Sequence, residues 1–184
     1  MNILAIADRG PQIDYRKTIE EYAIDLVVTL GDLERYDLLG MGEIEIPKIG
    51  VYGNHCSGNY MDELGILNLH MATWQYGGLI FGGLQGCVRY KENPDAIMYT
   101  QAESEQMMAN FPAVDVFICH CPPRGINDED GLAHQGFDGL RGYIDRTPPR
   151  VLLHGHTYPT DETLVRQHGT TRIEYVHKWR VIDI

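Results

Sequence analysis

The chain has 184 residues, 43% apolar and 22% charged, with a formal net charge of −11. That length suits one domain, over 1–184, with a good core, and no apolar run approaches the ~20 residues of a membrane helix. The acidic balance argues against a broad phosphate-binding surface, so neither a membrane nor nucleic acid is expected as the main partner.

"MNILAIADRG" opens on an apolar run that reaches Asp8 and Arg9 too early for a signal peptide. It predicts a buried strand over 1–8 and a cytoplasmic location. Pro11 suits the first turn of a helix over about 12–24. Strands are expected at 25–32 and 46–54, each apolar on both sides and closing on a glycine and a polar residue. Such strands are buried on both faces, with loops gathered at their C-terminal ends. A hairpin over 71–84 turns at Gly77-Gly78, and a helix over 100–111 is stopped by Pro112. A strand at 115–123 ends in a double proline, followed by a Gly- and Asp-rich loop (124–136), a helix (137–146) and a strand (150–158). "ETLVRQ", "RIEYVH" and "WRVIDI" read as three short strands in a meander. Early βαβ alternation with a late run of strands favours two sheets with helices outside. The terminal strands offer a sheet edge for a homo-oligomer.

The cysteines, Cys56, Cys87, Cys119 and Cys121, form no CxxC pair and read as buried reduced thiols. Cys119 and Cys121 flank His120, so in a strand they share one face and His120 takes the other.

The strand ends carry Asp8, then Gly31-Asp32, then Gly53-Asn54-His55, then His120, then Gly155-His156. In open α/β sheets that edge is where ligands bind. Each residue has an ordinary role when taken alone. Asp8 suits a helix cap, Gly31-Asp32 a turn, Asn54 a left-handed bend and His120 a satisfied core position. Five such motifs in one order form a constellation.

That order resembles the calcineurin-like metallophosphoesterases, whose pattern is D-x-H, G-D, G-N-H-[DE], a lone His and G-H-x-H. The likeness spans residues 3–158, and "HCPPRGINDEDGLAHQGF" looks like the His-Pro-Pro loop of small bacterial members. The resemblance implies an α/β fold: a four-layer αββα sandwich with two mixed β-sheets flanked by helices. It implies a hydrolase of small phosphomonoesters or phosphodiesters with two adjacent metal ions. Carried over by position, Asp32 bridges the ions, and one ion takes Asp32, Asn54, His120 and His156. The other takes Asp8, Asp32 and two histidines, whose places are held here by Gly10 and Tyr158. Mixed imidazole, carboxylate and amide ligands suit Mn, Fe or Zn better than Mg or Ca. One firmly held ion is thus expected, and the second is left open. His55 resembles the histidine that donates a proton to the leaving oxygen. The acidic residue that orients it in the family is Cys56 here.

Three readings follow from Gly10 and Tyr158. In the first, the guanidinium of Arg9 or Arg124 grips phosphate in place of the second ion. In the second, the site is rebuilt with Tyr36, Tyr158 or His134. The purple acid phosphatase branch pairs D-x-G with a tyrosine three residues after the G-D aspartate, where this chain has Arg35 followed by Tyr36. A phenol of pKa ≈ 10 needs a strongly acidic metal such as ferric iron to bind as phenolate. In the third, the fold is a degenerate scaffold that binds a protein partner or a phosphorylated ligand. His70, His168 and His177 match no motif and read as surface or structural; His154, on the strand face of His156, reads as structural, with a supporting or substitute ligand as the alternative; Asp128, Glu129 and Asp130 read as solvated charges.

Overall fold

The computed structural model describes residues 1–56 and 59–184. The first half runs β1 (Asn2–Ala7), α1 (Tyr15–Tyr22), β2 (Leu26–Thr29), 3-10 turns at Arg35–Leu38 and Met41–Glu43, β3 (Lys48–Gly50), the single-turn α2 (Tyr60–Glu63) and β4 (Leu67–Asn68). Then come the hairpin of β5 (Thr73–Tyr76) and β6 (Leu79–Leu84), the small pair β7 (Cys87–Val88) and β8 (Met98–Tyr99), α3 (Gln101–Met108) and β9 (Val116–Cys119). A 3-10 turn at Leu132–His134, α4 (Asp138–Arg146), β10 (Val151–His154), β11 (Gln167–His168), β12 (Thr171–Tyr175) and β13 (Lys178–Asp183) complete the chain.

Apart from the parallel β7-β8 pair, the strands form two mixed sheets. One has five strands in the order β13-β1-β2-β3-β4, parallel except for β13. The other has six in the order β11-β12-β10-β9-β6-β5, with a parallel centre and antiparallel β11 and β5 at its edges. Period-two alternation sorts each strand between two cores. Ile3 and Ala5 of β1 face the second sheet, where they meet Phe81, Ile118 and Leu153. Leu4 and Ile6 face outward onto Tyr15 and the 3-10 turns. On the far side, Phe117 and Leu152 pack against Met108, Leu140 and Tyr143 of the outer helices. The sequence runs are apolar on both sides because every central strand is covered on both sides. The result is the expected αββα sandwich with helices outside two mixed sheets.

Two expectations are corrected. The first helix begins at Tyr15, not near residue 12, because the Asp14 carboxylate caps it by accepting from Lys17 N at 3.2 Å. The C-terminal strands do not form a meander. β12 lies parallel beside β10, while β13 crosses to the other sheet and runs antiparallel to β1. Trp179 and Val181 of β13 pack on the α1 side and Ile182 enters the core between the sheets. β13 therefore needs cover on both faces, and the edge of β1 provides it. Of the segment 162–167 only Gln167 belongs to a strand, β11. Among the described residues, no helix is long and apolar enough to cross a membrane.

Leu153 is fully buried between the sheets. Leu153→Ala is expected to lower unfolding stability by about 2–5 kcal/mol, measured by urea denaturation. A loss below about 1 kcal/mol would show that this layer is not close-packed.

Candidate metal centre

Strands of both sheets end at one place. From the five-stranded sheet, β1 delivers Asp8, β2 delivers Asp32, and the segment after β3 delivers Asn54 and His55. From the six-stranded sheet, β9 delivers His120 and β10 delivers His156. β9 ends at Cys119, so His120 lies one residue past the strand. Cys119 and Cys121 turn into the outer core as expected, while His120 turns to the centre.

The G-D and G-N-H turns stack on each other. A Cβ on Gly31 would stand 2.3 Å from Gly53 N, and one on Gly53 would stand 2.1 Å from Asp32 Oδ1. Only glycine permits that approach. Asp8, Asp32 and His156 adopt left-handed backbone, with φ of 65°, 52° and 70°. For residues with a side chain this costs roughly 1–2 kcal/mol each, and such strain collects at functional sites.

Second contacts aim the ligand atoms. His120 Nδ1 donates to the Leu30 carbonyl at 2.7 Å, and its Nε2 lies 3.1 Å from Asn54 Oδ1 and 3.5 Å from Asp32 Oδ1. His156 Nε2 donates to the Ala133 carbonyl at 2.9 Å, which leaves Nδ1 with its lone pair. Asp8 Oδ1 accepts from His156 N at 3.0 Å, and Asp32 Oδ1 accepts from His55 N at 2.8 Å. Ligand atoms of Asp32, His120 and His156 all lie within 4.8 Å of one another. Two imidazoles fixed by carbonyls, a carboxylate and an amide oxygen fit a divalent transition metal.

The electrostatics follow from burial and pairing. Burial pulls the His120 imidazole down, but Asp32 and then Asp8 outweigh it and raise its pKa to about 9. Nε2 faces two acceptors and therefore carries a proton. Burial, and then the charge on His120, lower His156 to about 3, so it is neutral. Burial pushes the Asp32 carboxyl up, yet His120 and the His55 N–H overcome it and hold it well below the usual carboxylate range. Asp8 is raised, chiefly by burial.

The other residues singled out in the sequence are placed as follows. His55 is exposed and lines an open cleft of about 1100 Å³, together with Asp8, Asp32 and Arg9. Tyr36, Lys178 and Trp179 line the same cleft, and Tyr36 is 73% exposed. Arg124 pairs with Asp128 at 3.2 Å within its own loop. His134 pairs with Glu129 at 3.2 Å, its ring 5.4 Å from that of His156. Tyr158 is 56% exposed and stands edge-on between His134, at 6.0 Å, and His177, at 5.6 Å. Cys56 Sγ accepts from Gly53 N at 3.1 Å, so it holds the G-N-H turn. A Cβ on Gly10 would stand 2.9 Å from Asp37 Oδ1 and 3.0 Å from Asp37 O. The Arg35–Leu38 turn thus packs closely against the backbone at position 10.

Three residues play roles the sequence did not reveal. Asp128 is not a solvated charge. Besides Arg124 it accepts from Gly125 N at 2.8 Å and Gly136 N at 3.0 Å, closing the loop. Asn127 donates to His154 Nε2 at 2.9 Å and bonds both backbone groups of Val165. His154 is therefore structural, as expected, and burial keeps it neutral with a pKa near 4. His177 does not lie apart from the site: its Nδ1 is 3.7 Å from Asp8 Oδ2. The signal for it lies only in the pairing of the first strand with the last.

No family model and no curated protein matches this chain. Solved structures do match it. TT1561 of Thermus thermophilus is 17% identical with a TM-score of 0.63, covering 94% of this chain and 87% of that one. The phosphopantetheinyl hydrolase of Mycobacterium tuberculosis is 15% identical with a TM-score of 0.54, covering 96% and 88%. GAP50, the anchor in the inner membrane complex of Plasmodium, is 10% identical with a TM-score of 0.52, covering 95% and 70%. At these identities the likeness is one of fold.

A metal ion at His120 Nε2 must displace the proton held there. Apparent affinity for Zn or Mn is therefore expected to rise with pH up to about 9, roughly tenfold per unit, with about one proton released per ion near neutral pH. Calorimetry in buffers of different ionisation enthalpy measures that release. A pH-independent affinity with no proton release would contradict the assigned protonation of His120.

Proposed function

We propose that the protein is a metal-dependent phosphoesterase that cleaves a small phosphomonoester or phosphodiester by attack of water at phosphorus. The observation that carries this reading is the convergence of Asp32, His120 and His156 from both sheets, with ligand atoms within 4.8 Å and Asn54 Oδ1 beside His120. The mixed donor set favours Mn, Fe or Zn. A divalent ion held there supplies Lewis acidity toward a phosphoryl oxygen and a water acidic enough to attack near neutral pH.

The protein's own groups do the rest. Asp32 stays ionised because His120 and the His55 N–H hold its pKa down. His55 stands on the wall of the cleft, where it protonates the leaving oxygen. Arg9 lines the same cleft and grips the non-bridging phosphate oxygens, a task its planar fork suits. Arg124 is committed to Asp128 and holds the loop that presents Ala133 to His156. The match in fold to a protein named as a hydrolase is in keeping with this reading. A second reading, a scaffold that binds a partner without turnover, draws on the neighbour named as an anchor. It also draws on the absence of imidazoles at Gly10 and Tyr158.

The test uses p-nitrophenyl phosphate, its bis-ester and an alkyl phosphate ester, with Mn, Fe or Zn. His120→Ala is expected to abolish turnover. His55→Ala is expected to lower kcat about 10²–10⁴-fold for the alkyl ester and less for p-nitrophenolate, which leaves without a proton. Wild-type protein inert with every metal would sink the phosphoesterase reading and favour the scaffold.

A further inference from the structure

We infer that Asp8 and His177 are ligands of a second divalent transition-metal ion, with His177 supplying an imidazole from outside every motif the sequence displays. The inference rests on the metal centre proposed above and names the residue that completes its other half.

Two orphaned atoms point to this site. The Asp8 side chain is only 4% exposed. Its Oδ1 accepts from His156 N, while Oδ2 is buried with no hydrogen-bond partner among the described residues. His177 Nδ1 is also buried and also without a hydrogen-bond partner. A buried acceptor left unpaired is costly, and here two are aimed at each other across 3.7 Å. That gap is too long for a hydrogen bond. It is close to the separation of two ligands on one tetrahedral ion, roughly 3.4 Å for bonds of ~2.0–2.2 Å.

The topology explains how a histidine without a motif reaches the site. β13 runs antiparallel to β1, and Ala7 pairs with Lys178. The next residue along each strand is Asp8 and His177, so the register sets them opposite each other. His177 follows β12, which lies beside β10, so it emerges at the same sheet end as His156. Lys178 then takes left-handed backbone, φ 63°, as the chain crosses to the other sheet.

Gly10 and Tyr158 fit the same picture. Position 10 carries no side chain, and a Cβ there would crowd Asp37, so that side of Asp8 supplies no nitrogen. Tyr158 packs edge-on against the His177 ring at 5.6 Å. It is a positioning residue that fixes the imidazole plane and need not bind metal as phenolate. The rival account is that protonated His177 merely pairs with Asp8, which would fill the same gap with a proton.

The full chain, stripped with chelator, is titrated with Mn(II). Bound metal is counted by elemental analysis after gel filtration, and the ions are examined by electron paramagnetic resonance. The expected result is two ions with a spin-coupled signal in wild type, and one uncoupled ion in His177→Ala. Millimolar imidazole is expected to restore the second ion in that variant. His177→Gln, with at least tenfold weaker binding of the second ion, serves if the alanine variant fails to fold. One ion in both wild type and His177→Ala would overturn the inference and leave the first metal centre standing. Two ions in both would also overturn it, since another residue would then be the ligand. No ion in wild type would remove both readings together.

Discussion

The buried pair of Asp32 and His120 ties the two sheets together at the edge where their strands end. Asp32 follows a strand of one sheet and the fully buried His120 follows a strand of the other, 3.5 Å away. A buried ion pair repays its desolvation only when the remaining lone pairs and protons are satisfied. Here the Leu30 carbonyl, the Asn54 amide and the His55 N–H do that. His156 N to Asp8 Oδ1 is a further link between the sheets. Along the body of the sandwich the sheets are joined by apolar packing. At this end polar contacts replace that packing, so the candidate centre is also part of what holds the fold.

Much of this was legible in the sequence because burial leaves a pattern. A strand covered on both faces reads as an unbroken apolar run, and its polar end marks the sheet edge. The five strand-end motifs are therefore evident in the sequence alone. Pro11 suggested an earlier helix start, but the Asp14 carboxylate, which satisfies a backbone N–H, sets the boundary, and Pro11 lines the cleft. An acidic run such as 128–130 looks solvated unless the backbone groups that draw in Asp128 are known. The crossing of β13 was hidden for a deeper reason. Alternation tells how many faces of a strand are covered, and says nothing about which sheet covers them. His177 was missed with it, since the partner that gives it meaning lies at the other end of the chain.

The two sides of the centre differ in character. On the His120 and His156 side, carbonyls fix both rings and little is exposed. On the Asp8 side the wall opens into the cleft, with Arg9, His55 and Lys178 around it. Gly10 and Tyr158 stand on this open side. The first admits a turn that shapes the cleft and the second braces neighbouring rings. Both positions serve packing.

The long return of β13 to β1 also bears on how the chain folds. Pairing the first strand with the last closes nearly the whole chain into one loop, and the entropy of that closure has to be met before the contact gives anything back. Contacts of such sequence separation slow folding. The βαβ units around Asp32 and Asn54 are local and can form early, whereas Asp8 meets His177 only when the final strand docks. An ion held between them would therefore engage a nearly native molecule. Its main kinetic effect would be to slow the departure of the last strand, as a clasp on a finished fold rather than a nucleus for an unfinished one.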